Sequence, residues 1–282
     1  MDEQARAEIE AIRTDAASSA TVILARALRL LRAAATRGRD ELEEVAREIC
    51  YAQPSMAGLR TAAEVVRRAR DPGAELERFA QRVERAPKAI ARHAVALLAL
   101  RKPTERPTGE PDRLRVVTCS SSAVVEAAIV SAAHHAPVTA ACAESRPALE
   151  GRALASRLCA QGVAVELYTD GGISAAVDTA EAVLVGADAI GPERFVNKVG
   201  TGALCALASA RGVPVYVLAG SEKVMSAELF DRLSVNEGPP DEVWADPPSA
   251  LLVRNPYFEA VPLTLVTLVI TERGPAEPFG GV

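Results

Sequence analysis

The chain is short of the features that mark most simple functional classes. Its five cysteines (Cys50, Cys119, Cys142, Cys159 and Cys205) are odd in number, scattered, and form no CxxC pair. That excludes a disulfide framework and a zinc cluster, and reads as free thiols in a reducing compartment. Long apolar runs are missing. The longest candidate, Val261 to Ile270, contains Pro262 and two threonines and falls well short of the roughly 18 residues that span a bilayer. There is no basic excess either. A net charge of −5 supplies nothing to displace counterions from a nucleic-acid backbone, so neither nucleic acid nor membrane is expected as a partner. The sequence has no GxSxG elbow, no HExxH, no dinucleotide fingerprint and no Walker spacing, so hydrolase, metalloprotease, dehydrogenase and P-loop readings have no support. No metal and no cofactor are expected. The opening MDEQARAEIE is acidic and polar, unlike a secretory signal or transit peptide, and the expected location is the cytoplasm.

What is present is apolar material in two different rhythms. Hydrophobic residues make up 49% of the chain, enough for a sizeable core and too many for wholesale disorder. Up to about position 100 the rhythm is helical. Ile23, Leu24, Ala27, Leu28, Leu31 and Ala34 form one stripe. Asp40 followed by Glu43 resembles a capping box opening a helix with Leu42, Val45, Ala46 and Ile49 inward. Further stripes run through Met56, Leu59, Ala63 and Val66, and through Leu76, Phe79 and Val83. Pro87 is expected to break or kink the last before Ile90, Val95 and Leu98. The segment Lys102 to Asp112, with three prolines and mixed charge, reads as a linker. We place a helical bundle domain over residues 1–105 and a second domain over 106–282.

In that second part short apolar runs begin near Leu114, Pro137, Val163, Ala182 and Val213. Helical segments at 122–133, 148–161 and 199–211 alternate with them. Runs apolar on both faces, alternating with helices, predict a parallel sheet covered on both sides. The expected fold class is therefore α/β, a helical domain followed by a Rossmann-like sheet, with ligands bound at the strands' carboxyl ends.

Each strand end carries polar residues that a core does not need. The first leads into Thr118-Cys119-Ser120-Ser121-Ser122, the second into Glu144-Ser145-Arg146-Pro147, and the third into Thr169-Asp170-Gly171-Gly172. Gly186-Ala187-Asp188 follows the fourth, with Asn197-Lys198-Val199-Gly200-Thr201 beyond it, and Gly220-Ser221-Glu222-Lys223 follows the fifth. Ser121 and Ser122 fit either helix caps or a phosphate site, since free amides at a helix start favour both. Lys198, Gly200 and Thr201 offer a point charge, close backbone approach and a hydroxyl at another helix start. Asp188 ends a buried strand, where burial would raise its pKa for proton transfer; the alternative is a turn or cap aspartate. Arg146 could pair with Asp170 or Glu144, or grip a phosphate. His93, His134 and His135 fit packed or solvated positions better than catalytic ones.

Five ordered segments carry a family resemblance: AESRPALEGRALA (143–155), VLVGADAI (183–190), VNKVGT (196–201), VPVYVLAG (213–220) and RNPYFEAVP (254–262). They resemble the shared core of the initiation factor 2B alpha/beta/delta family, which includes ribose-1,5-bisphosphate isomerase and 5-methylthioribose-1-phosphate isomerase. The likeness covers residues 112 to 274 well and the helical half loosely. It implies a site between the two domains, a homodimer formed mainly through the second, and a sugar phosphate or nucleotide as ligand. It further implies an aldose 1-phosphate to ketose 1-phosphate isomerase with Asp188 as acid, or a regulatory protein that kept the pocket. Cys119 or Ser120 would be the acid's partner. Ser121, Ser122, Glu144, Arg146, Glu150, Asn197, Lys198, Gly200, Thr201 and Lys223 would surround the substrate. The family's loop reads T-H-C where this chain reads Thr118-Cys119-Ser120. Its two phosphate-gripping arginine motifs appear here as Asp15 to Ala20 and as Gln53 before Pro54.

Overall fold

The computed structural model describes residues 1–15, 18, 20–101, 113–234 and 237–278. The expected linker, Lys102 to Asp112, lies outside the described residues, as do Ala16, Ala17 and Ser19. Five helices come first: α1 (Glu3–Arg13), α2 (Ala20–Ala35), α3 (Arg39–Ala52), α4 (Ala57–Arg68) and α5 (Pro72–Leu98). The α2 stripe is buried residue for residue as its spacing predicts. It meets Leu42, Val45, Ile49, Leu59, Leu76 and Phe79 in one apolar cluster.

The capping expectation fails here, and at Pro87 the helix continues. Helix α3 starts one residue before Asp40, with Gly38 at its cap position and no side-chain capping bond, so the Asp40–Glu43 capping box does not form. Asp40 instead places negative charge in the first turn, where the helix dipole favours it. Helix α5 is not broken at Pro87. It runs 27 residues, opened by Pro72 at its first position and by Asp71, whose side chain accepts from the Ala74 amide at 3.0 Å. Packing on both sides of Pro87 outweighs the missing backbone bond. Leu76, Phe79 and Val83 belong to the helical core, whereas Ala86, Ile90, Ala94 and Leu98 belong to the core of the sheet. One helix thus carries the chain from the first hydrophobic cluster into the second.

The remainder is β1 (Leu114–Thr118), α6 (Ala123–Ala133), β2 (Val138–Ala143), α7 (Glu150–Ala160), β3 (Ala164–Tyr168), α8 (Ser174–Val177) and β4 (Ala182–Val185). Then come β5 (Ala189–Ile190), β6 (Arg194–Lys198), α9 (Thr201–Ala210), β7 (Val215–Leu218), α10 (Ala227–Phe230), β8 (Phe258–Pro262), β9 (Leu268–Thr271) and β10 (Gly274–Ala276). The main sheet has the order β10-β9-β7-β4-β1-β2-β3, parallel except for β10. Counting only its parallel strands in chain order gives 3-2-1-4-5-6, so the strand order reverses between β1 and β4. A crevice opens at that point, above the ends of those two strands. A second antiparallel sheet, β5-β6-β8, stands beside it and has no counterpart in the sequence reading. β5 has only two residues, and β6 pairs with β8 across some sixty residues of chain, which leaves little periodic signal.

The helices sit close enough to the strands to require glycine at one point. A Cβ on Gly151 in α7 would fall 1.8 Å from the Ala143 carbonyl oxygen at the end of β2. Two bonds tie the helical half to the sheet beside the crevice. The Ala57 amide, first in α4, donates to the Asp188 carbonyl at 3.2 Å. The Thr61 hydroxyl donates to the Glu222 carbonyl at 2.8 Å. Among the described residues no helix is long and apolar enough to cross a membrane.

Candidate active site

The crevice holds a cavity of about 240 Å³. That is just below the roughly 300–1,000 Å³ usual for small-molecule sites, a size for one compact ligand. The sheet side supplies Cys119, Ser120, Ser121 and Ser122 from the β1–α6 turn, Glu150 from the start of α7, Gly186 to Asp188 after β4, Asn197 from β6 and Lys223. The helical side supplies Arg13 at the end of α1, Thr14, Asp15 and Ser18 after it, Thr21 and Ile23 from α2, and Gln53 and Met56 ahead of α4. Phe258 at the start of β8 and Tyr257 just before it close it.

Eight of the expected residues therefore share one cavity: Cys119, Ser120, Ser121, Ser122, Glu150, Asp188, Asn197 and Lys223. Lys198 stands just behind. It is 2% exposed, donates to Glu150 Oε1 at 2.9 Å, and lies 4.9 Å from the centre of the Tyr257 ring. A buried ammonium is tolerable because a carboxylate and an aromatic face replace its water.

Glu144, Arg146, Gly200 and Thr201 do not line the cavity. Glu144 pairs with Arg152. The Arg146 amide donates to Asp170 and its guanidinium to the Glu242 carbonyl. Gly200 takes φ 96° at the cap of α9, and the amide of Gly202 in the first turn donates to Glu259 at 2.9 Å. The Thr201 hydroxyl donates to the Lys198 carbonyl at 2.6 Å and accepts from Asn197 Nδ2 at 2.9 Å. These groups hold the wall in place; they are already satisfied by protein partners.

The β1–α6 turn differs. Ser120 adopts φ 63°, its amide donating to Ser145 Oγ at 2.7 Å. The Ser121 hydroxyl accepts from Arg157 at 2.8 Å. Ser122 occupies the cap position, but its side chain makes no capping bond. Among the described residues, the first-turn amides of α6 therefore meet no side-chain acceptor, and this helix start faces the cavity.

Two groups show the effect of the surroundings on protons. Burial pushes the Asp188 carboxyl above the ordinary carboxylate range; Lys223 and Lys198 pull the other way, and the nearby charge of Glu150 reinforces the rise. The Cys119 thiol is 7% exposed, and burial raises it to about 11. Its sulfur lies 3.4 Å from Thr201 Oγ1. Since the Thr201 proton is committed to a carbonyl, the thiol is the donor there. Lys223 donates to the Ala187 carbonyl at 2.6 Å, next to the acid.

The sequence reading missed Arg13, Thr14, Thr21, Met56, Tyr257 and Phe258. Tyr257 and Phe258 lie within RNPYFEAVP, so a signal was there. The others are ordinary residues at the ends of helices, and nothing local marks them. Asp15 and Gln53, where the resembling family carries arginine motifs, do line the cavity. Asp15 accepts from Arg26, and Gln53 donates to the Ile12 and Asp15 carbonyls.

Known proteins resemble this chain along most of its length. The model of the Initiation factor 2 subunit family matches residues 11–278. A methylthioribose-1-phosphate isomerase from Desulforamulus reducens is 30% identical over 264 residues, covering 85% of this chain and 75% of that protein. A ribose 1,5-bisphosphate isomerase from Haloferax volcanii is 33% identical over 166 residues, covering 55% of this chain and 49% of that one. The chain thus spans three quarters of the first relative and about half of the second. The crystal structure of a translation initiation factor eIF-2B from Pyrococcus horikoshii superposes with a TM-score of 0.82 at 22% identity, covering 99% of this chain and 98% of that one. At that identity the superposition shows a shared fold.

Proposed function

The chain belongs to the Initiation factor 2 subunit family, and within it we propose an isomerase that interconverts an aldose 1-phosphate of the ribose type and its ketose 1-phosphate. The observation that carries this reading is Asp188. Its carboxyl is held above the ordinary range by burial, in the crevice where the strand order reverses, facing an uncapped helix start. The relatives that carry the names of sugar-phosphate isomerases support the reaction class.

The chemistry fits the cavity. A phosphate on C1 locks the sugar ring closed, so the ring oxygen must be protonated before hydrogen can move between C2 and C1. The open start of α6, with Ser120 to Ser122, is a seat for that phosphate. Asp188 is the proton donor for the ring oxygen, and Lys223 and Asn197 border the sugar. We place the protein in the cytoplasm as a homodimer joined through the sheet-bearing domain (106–282), with the helical domain (1–105) closing the site.

One observation favours a regulatory protein that binds a sugar phosphate or nucleotide without turning it over. Cys119 is buried, raised to about 11 and already bonded, so it offers little as an acid or base. Proton NMR on ribose 1-phosphate, ribose 1,5-bisphosphate and methylthioribose 1-phosphate separates the two. A ketose signal that disappears with Asp188→Asn establishes the isomerase. Binding with no product from any of the three would sink it in favour of the regulatory reading.

A further inference from the structure

Conversion of C2 from an alcohol to a carbonyl releases the proton of the C2 hydroxyl, and some group must take it. The two residues beside Asp188 in the β1–α6 turn are poor candidates. Cys119 donates its proton to Thr201 and sits where burial disfavours the thiolate. Ser120 carries an alcohol, a weak base near neutrality.

Glu150 has what both lack. It lines the same cavity from the start of α7. Its Oε1 accepts from the buried Lys198 at 2.9 Å. Its Oε2 is buried and, among the described residues, meets no hydrogen-bond donor. A buried carboxylate oxygen without a donor is costly unless something that binds there supplies one. A sugar hydroxyl in the cavity is such a donor. Glu150 is also close enough to Asp188 for its charge to raise that carboxyl. Two carboxyl groups in one cavity, one paired with an ammonium and one pushed towards its neutral form, are the usual arrangement of a base and an acid.

We infer that Glu150 is the catalytic base of this site, working as a carboxylate pair with Asp188; the inference rests on the isomerase reading. Asp188 gives its proton to the ring oxygen as the bond from that oxygen to C1 breaks. The hydrogen on C2 moves to C1 with its bonding pair, and the C2 hydroxyl proton passes to Glu150. The product carries a carbonyl at C2 and two hydrogens on C1. Return of the proton from Glu150 to Asp188 through solvent restores both groups, so no oxidant or reductant is consumed.

The test is turnover of the three sugar phosphates by the wild type, Asp188→Asn, Glu150→Gln, Glu150→Asp, Lys198→Met and the double variant Glu150→Gln/Lys198→Met. Glu150→Gln is expected to lower kcat by roughly 10²–10⁴-fold, the usual worth of a general base, with KM little changed. Glu150→Asp keeps a carboxylate and is expected to retain more turnover than the glutamine. The double variant, which removes the stranded ammonium charge as well, should stay as slow as Glu150→Gln. Recovery in the double variant would make Glu150 only the counter-ion of Lys198 and overturn the assignment. Near-normal turnover by Glu150→Gln beside a dead Asp188→Asn would overturn it too, while leaving the isomerase standing. No ketose from the wild type on any of the three would remove both.

Discussion

Helices α6 and α9 begin in much the same way, each after a buried strand and with hydroxyl side chains at the helix start, yet they end in opposite states. At α9 the protein has filled the helix start itself. Glu259 accepts from the Gly202 amide, and the Thr201 hydroxyl is spent on the Lys198 carbonyl and on Asn197. At α6 the Ser122 side chain caps nothing and the cavity opens in front of it. A helix start is a ligand site only where the chain has left its amides unclaimed. The difference therefore separates a wall of the site from its floor.

Substitutions at the two turns should diverge accordingly. The largest effect is expected on the open side, at Asp188. Asp188→Asn should reduce turnover by about 10²–10⁴-fold, measured by proton NMR on whichever sugar phosphate the wild type converts. In the wild type the acid must be protonated, and burial with Glu150 outweighs Lys223 and Lys198 in raising its pKa. Turnover should therefore fall as pH rises through a value above the ordinary aspartate range, and a pH–rate profile checks this.

Next comes Gly186→Ala. A Cβ there would meet Ser122 Oγ at 2.8 Å and its Cβ at 2.9 Å, crowding the open turn. Overpacking of this kind costs about 1–3 kcal/mol, and each 1.4 kcal/mol expressed in binding is about tenfold. Isothermal titration should show weaker ligand binding than in the wild type, and unchanged affinity would deny that the α6 start holds the phosphate.

On the filled side, Thr201→Val leaves Asn197 and the Lys198 carbonyl short of a partner. About 1–3 kcal/mol of stability should be lost in chemical denaturation, with a smaller change in ligand affinity than Gly186→Ala produces. The smallest effect is expected from Ser122→Ala. An N-cap serine is usually worth about 1 kcal/mol, but this one makes no capping bond, so the change should stay within about 0.5 kcal/mol. A full capping loss at Ser122 would erase the contrast between the two turns.

Much of the frame was legible from spacing. The α2 stripe follows from a period of 3.6, and the five apolar runs of the main sheet from being apolar on both faces between helical segments, all local properties of the chain. Asp188 was legible for the same reason: glycine, a small residue and an acid directly after a buried strand must sit at a sheet edge. Pro87 does not end its helix, because the packing that offsets its local cost comes from two separate clusters. Asp40 misled because a capping pattern states a preference and the chain entered α3 one residue earlier, through Gly38.

The sequence by itself determined the layers of this protein and the sheet edge that lines the cavity, because apolar runs, helical stripes and the polar residues that follow each run are local features of the chain. Only the tertiary structure decided which polar groups on that edge remain available. Glu259 reaches Gly202 across 57 positions, and Glu150 reaches Lys198 across 48. Hydrogen bonds between residues so far apart form only once the fold has brought them together, and they alone tell a satisfied side chain from one still waiting for a ligand.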